Sequence, residues 1–115
     1  MHIGITTNLS PTRFFDVAES IPNEFTAVEL TANGIQTAGA SSIPVGIFNG
    51  SDVNIIGATY WQVGGQSIVA GDLLASDENG LAIKATSGKF AFGQALENAS
   101  ASSVTEVQIV RAGIL

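Results

Sequence analysis

The chain contains no cysteine, which excludes disulfides, thiolate catalysis and cysteine-ligated zinc. It has one histidine, His2, so no histidine-based metal cluster can form within a single chain. His2 also sits beside the terminus, where the held geometry of a general base is not expected. Charge is scarce: 12% of residues are charged, about half the usual share for a soluble domain. Cations are scarcer still. Arg13, Lys84, Lys89 and Arg111 stand against ten acids, for a net charge of −6. Four scattered cations make neither a phosphate-neutralising stripe nor a polybasic patch, so neither nucleic acid nor a membrane surface is an expected partner. No apolar run approaches the ~18 residues of a membrane helix. The opening Met1-His2-Ile3-Gly4-Ile5-Thr6 lacks the basic-then-apolar pattern of a signal peptide.

What is present is apolar. At 115 residues and 45% hydrophobic content, the chain is long enough for one domain with a real core. A core of that kind under so few charges has two readings. Either part of the surface is covered by other chains, or the surface is a neutral one of Ser, Thr and Asn.

Residues 1–25 stand apart from the rest. They hold two of the three prolines, Pro11 and Pro22, and show no clean alternation. Ser10 as N-cap and Pro11 as first helical residue suit a helix of two turns, with Phe14, Phe15 and Ala18 on one apolar side. Pro22 bars its continuation. The segment therefore reads as one short helix or an extended arm. Residues 26–115 read as a β domain. Candidate strands cover 27–30, 43–48, 53–63 (with Gly57 marking a bend), 72–75, 81–85, 90–97 and 104–110. Glycine-bearing turns separate them, among them Asn33-Gly34, Asn49-Gly50 and Asp77-Glu78-Asn79-Gly80. At the last of these, Asn79-Gly80 is expected to supply the positive φ angles of a hairpin. Leu81, Ile83 and Ala85 are expected on a buried face. Phe90, Phe92 and Leu96 should share a face with Gln94, and Thr105, Val107 and Ile109 should oppose Glu106 and Gln108. Short strands at this spacing predict an all-β fold, a small antiparallel barrel or sandwich with an N-terminal arm.

A catalytic set is not found. Asp72, Asp77 and Glu78 lie close in sequence but lack the spacing of a calcium loop, and turn chemistry accounts for them. No serine sits in Gly-x-Ser-x-Gly, and no phosphate-binding glycine loop is present. No enzyme activity, cofactor or metal is therefore expected. Aromatics supply the candidate contacts. Tyr60-Trp61 suits either core packing or a platform for a sugar or a partner. Phe14-Phe15 are adjacent aromatics on a segment too small to bury both, so they dock on the domain or insert into a neighbour.

The order of motifs then carries a resemblance. Ala70-Gly71-Asp72-Leu73-Leu74-Ala75-Ser76-Asp77-Glu78-Asn79-Gly80, followed by Lys84-Ala85-Thr86 and by Phe92-Gly93-Gln94-Ala95-Leu96-Glu97, resembles the head-decoration or capsid cement proteins of tailed bacteriophages. A small-residue loop and a last alternating strand follow, as in that family. The resemblance spans about residues 43–115. Tyr60-Trp61 and Phe14-Phe15 lie outside its pattern. It implies a compact β domain that forms a homotrimer, made in the host cytoplasm and bound to the outer surface of the virion. There such trimers sit at local three-fold sites of the major capsid protein and lock the expanded shell. N-terminal arms of such proteins often reach to the capsid or to a neighbouring subunit. The competing reading is a small carbohydrate-binding β module that uses Tyr60 and Trp61.

Overall fold

The computed structural model describes residues 11–115. These residues contain no helix. Their strands are β1 (Thr12–Arg13), β2 (Thr26–Thr31), β3 (Gly34–Thr37), β4 (Gly46–Phe48), β5 (Val53–Asn54), β6 (Ala58–Gln62), β7 (Leu73–Ser76), β8 (Ala82–Lys84), β9 (Phe90–Ala95) and β10 (Val104–Ile114). They form two five-stranded sheets with orders β1-β5-β4-β2-β3 and β6-β10-β9-β7-β8. Every strand pairing is antiparallel. The fold is the all-β sandwich expected from the strand spacing.

The chain completes one sheet before starting the other. The change occurs at Gly57, whose φ of 81° turns the backbone where a side chain would be strained. The continuous apolar stretch 53–63 is therefore two strands in different sheets. Both sheets curl far enough for their edges to meet. In the first, β1 pairs with β5 through Thr12↔Asn54 and Arg13↔Val53. Three residues later the same segment reaches the opposite edge. There Asp16 O accepts from Ile35 N, and Ala18 N donates to Ile35 O, each at 2.8 Å. Val17 and Ile35 form a parallel bridge. One short segment thus satisfies backbone groups on both edges, which would otherwise template pairing with other chains. In the second sheet, Val63 bridges Ala82, and Gly64 N donates to Ala82 O at 2.8 Å.

This closure explains why the expected short helix is absent from the described residues. Ser10, its proposed cap, lies outside them. Extended backbone at 12–18 gains strand partners on two edges, and it sends neighbouring side chains to opposite faces. Phe15 joins a cluster built on Val28, Ile35 and Val53, together with Ile21, Val45, Phe48 and Ile55. Phe14 points away. Weak helix propensity loses to tertiary pairing. Residues 11–25 lie on the first sheet over the part that the structure describes.

The larger cluster lies between the sheets. Trp61, Val63, Leu74, Phe92, Ala95 and Val107 from the second sheet meet Ala27 and Ile47 from the first. The Asp77–Gly80 turn ties this junction. Asp77 Oδ1 accepts from Asn79 N at 2.7 Å and from Leu81 N at 2.9 Å, so the loop is wound around one carboxylate. Only Gly80 has positive φ there, at 77°; Asn79 does not share the left-handed conformation expected of it. The Gly80 carbonyl accepts from Ala27 N at 2.7 Å and from Trp61 Nε1 at 2.9 Å, joining a turn of the second sheet to a strand of the first.

Alternation along β10 is as expected: Thr105, Val107 and Ile109 are buried, whereas Glu106 is exposed. In β9 it fails. Phe92 is buried in the core, and Leu96 is exposed. The β9–β10 register shifts between Ile109 and Gly113, opposite Phe92, so parity along β9 no longer assigns a face. In β8, Ala82 is fully buried at the bridge to Val63, while Ile83 is half-buried. At the β10 irregularity Arg111 takes φ 47°. Its guanidinium donates to Pro44 O at 3.2 Å, and to Val45 O and Ile55 O at 2.8 Å each. It also lies 4.9 Å over the Phe92 ring. Partial burial lowers the Arg111 pKa, but guanidinium stays charged at any ordinary pH. Arg111 therefore binds the two sheets together. Arg111→Ala is expected to lower unfolding free energy by about 1–3 kcal/mol, the range for charge-assisted hydrogen bonds near solvent. Chemical denaturation reads this directly, and an unchanged midpoint would contradict the role.

Candidate interaction surface

Two surfaces carry the exposed aromatics. The first follows from the closing segment. Because Phe15 turns into the sheet, Phe14 is forced outward and is 72% exposed. Beside it the Arg13 guanidinium stacks 5.0 Å over the Phe15 ring. Leu30, on β2 opposite Ile35, is 54% exposed on the same side. Arg13, Phe14, Leu30 and the Thr31–Gly34 turn line an open groove of about 530 Å³. Gly34 permits this arrangement: a Cβ there would sit 2.2 Å from Asp16 O.

The second surface is the outer face of β6, β10 and β9. Tyr60 pairs with Glu106 across β6–β10 and is 52% exposed. Its ring meets Phe25 edge-on at 6.0 Å between centroids. Leu96 N donates to Glu106 O, which brings exposed Leu96 beside them; exposed Val104 lies two residues back along β10. Of Tyr60, Leu96, Val104 and Glu106, only Glu106 is charged. Tyr60, Leu96 and Val104 can leave water at little cost, whereas Glu106 between them needs a cation or hydrogen-bond donor on whatever covers it.

Trp61 is not part of either surface. Strand alternation places it opposite Tyr60, and its exposure is 0%. It packs edge-on to Phe92 at 5.9 Å and spends its N–H on Gly80 O. The Tyr60-Trp61 sugar platform is therefore corrected: its larger ring is in the core, so Tyr60 and Trp61 share no stacking surface. Phe15 is likewise a packing residue, which leaves Phe14 and Tyr60 as the sequence-selected residues available for contact.

The motif residues prove to be turn and strand fasteners. Asp72 Oδ2 accepts from Val69 N at 2.9 Å, and Oδ1 lies 3.9 Å from Lys84 Nζ. Gly71 has φ 92°, and its carbonyl accepts from Gln94 Nε2 at 3.2 Å. Glu97 Oε2 accepts from Thr105 Oγ1 at 3.0 Å and from Glu106 N at 3.3 Å. These carboxylates hold backbone rather than gather at one point. Among the described residues, no group of three His, Asp or Glu side chains is placed to hold a metal ion. His2 lies outside them. Two features were missed in the sequence. Leu30 gave no signal beyond an ordinary strand position. Arg111 gave one: a lone cation interrupting an alternating strand.

No protein-family model and no curated protein matches the chain. Among solved structures, it is similar to the N base of the head fiber gp8.5 in bacteriophage phi29. The two share a fold. The match has a TM-score of 0.67, at 21% sequence identity, and covers 89% of this chain and 96% of that one. Near-complete coverage of both chains means that the likeness includes both sheets.

Proposed function

We propose that this protein is a non-enzymatic structural component of a tailed-bacteriophage head. More narrowly, it is a decoration or cement protein that binds as a homotrimer at local three-fold sites of the major capsid protein. It would lie on the outer surface of the virion and stabilise the expanded shell. The observation that carries the reading is the two-sheet fold shared with a phage head-fiber base over almost the whole of both chains. The sequence motifs of the decoration family support it independently. So does a surface with few charges and two exposed aromatic patches. Three copies would multiply weak contacts into avidity, because the second and third attachments become intramolecular.

Phe14 and Tyr60 are the residues proposed to make the contacts. Phe14→Ala and Tyr60→Ala should each leave the melting temperature nearly unchanged, since exposed side chains contribute little to the core. One of them should weaken capsid binding or trimer formation by about 1–4 kcal/mol, the range for an aromatic anchor. Light scattering on the wild type should give a mass near three chains. Full capsid binding by the double variant would remove both patches from the proposal. Deleting residues 1–20 is the poorer test, because Thr12–Ala18 closes the first sheet.

A second reading has its own support in the structural likeness: the chain would be the base of a head fiber. Electron microscopy of virions separates the two. Compact density at three-folds supports decoration, and a projecting fiber supports the base.

A further inference from the structure

Three Asn-Gly pairs occur in the chain, at 33–34, 49–50 and 79–80. In such a pair the glycine nitrogen can attack the asparagine Cγ. A C–N bond forms, the side-chain nitrogen leaves as ammonia, and a five-membered succinimide results. Water then opens the ring at either carbonyl, giving aspartate or isoaspartate; no other reagent is needed. Glycine favours the attack because no Cβ hinders it. What decides the rate in a fold is whether Cγ and the next nitrogen can move together.

We propose that the structure opens this chemistry at Asn79-Gly80 and closes it at Asn49-Gly50. Asn49 is held on every side. Its Oδ1 accepts from Ser51 N at 3.1 Å and Asp52 N at 3.0 Å, and its Nδ2 donates to Asp52 Oδ1 and Asn54 Oδ1. Ring closure there must break these bonds. Asn33 is exposed, but Gly34 is a paired member of the β2–β3 ladder opposite Thr31, so ring closure there must disturb the sheet. Asn79 is exposed and its side-chain amide has no hydrogen bond among the described residues. Gly80 is itself buried, with space for a Cβ closed by Ala27 O at 2.8 Å, but its nitrogen is held only by a 3.2 Å contact to Asp77 O.

The site is also placed to matter. The Gly80 carbonyl receives Ala27 N and Trp61 Nε1 at the junction of the sheets. Isoaspartate at 79 adds a methylene to the backbone directly before Gly80 and displaces that carbonyl. Deamidation at this one turn therefore loosens the contact between the sheets, making Asn79 an ageing site of the protein.

Peptide mapping of the full chain, incubated in mildly alkaline buffer and probed for isoaspartate, tests this. Asn79 should convert first, with Asn49 slower by about tenfold or more, since each lost hydrogen bond is worth severalfold in rate. In denaturant the three sites should converge. Comparable folded-state rates at Asn49 and Asn79, or the same ranking in the unfolded chain, would overturn the gating. Isoaspartate-enriched protein should melt lower than Asn79→Asp, which adds the charge without the methylene. Equal melting would overturn the effect on the junction.

Discussion

Trp61→Ala should destabilise the protein by about 3–5 kcal/mol, the usual cost of removing a large buried aromatic. Against a typical total of ~5–15 kcal/mol, that is a large fraction of the stability, and at the low end of the range it leaves much of the chain unfolded. The cost has two sources. The indole is fully buried between Phe92 and the other core residues of both sheets, so truncation opens a cavity at the sheet junction. It also supplies one of the two donors to Gly80 O. Trp61→Phe separates these sources, because it keeps most of the packing and loses the donor. Its expected cost is about 1–2 kcal/mol, a hydrogen bond plus a small volume change. Urea denaturation followed by circular dichroism measures both. A midpoint for Trp61→Ala within error of wild type would place Trp61 on the surface and restore the two-ring platform.

The second large effect lies at Gly34. Gly34→Ala should cost about 2–4 kcal/mol, combining left-handed backbone strain with overpacking. Gly34 has φ 120°, and an added Cβ would meet Asp16 O at 2.2 Å and Asp16 C at 2.6 Å. These are backbone atoms and cannot swing aside as a flexible side chain would. The strain is relieved most directly by lifting residues 16–18 away from Ile35. Hydrogen exchange should therefore show lost protection at the amides of Ala18 and Ile35, while the amides of β9 and β10 change little. Uniform loss across both sheets would mean that the closing segment is not a separable unit. An alanine variant as stable as wild type would mean that the segment does not close the first sheet at all.

Gly34 also shows what was legible in the sequence. Asn33-Gly34 announced a turn, and the turn is there. The contact with Asp16 comes from a segment 18 residues upstream, and nothing in local pattern encodes that meeting. The same holds for the stretch 12–18. Its local preferences suit a short helix as well as a strand, and only the two waiting edges decide. Strands with strict alternation were legible because burial on one face writes itself into every second residue. β10 is the clear instance, up to Ile109. Beyond it, the bulge opposite Phe92 breaks the correspondence, and with it the expectation that Phe92 and Leu96 share a face.

The candidate surfaces divide along the same line. The sequence offers four aromatics as contacts, Phe14 and Phe15 by their adjacency and Tyr60 and Trp61 by the enrichment of such residues at interfaces. In a strand or extended segment adjacent residues point in opposite directions, so each pair contributes one exposed ring and one buried ring. Phe14 and Tyr60 are exposed; Phe15 and Trp61 are packed. The alternation rule was available, but which member of each pair faces inward depends on register against the rest of the sheet. Arg111 was visible as a cation out of place. Its three carbonyl partners are 56 to 67 residues distant, on loops and strand ends of the other sheet.

A head-decoration role is tested most directly by adding purified protein to expanded heads that lack it, followed by sedimentation and cryo-electron microscopy. Saturable binding to expanded heads, with three-fold density at sites between capsomers and loss of binding in Phe14→Ala or Tyr60→Ala, is the expected result. Absence of binding, or equal binding to unexpanded shells, would contradict a protein that locks the expanded state.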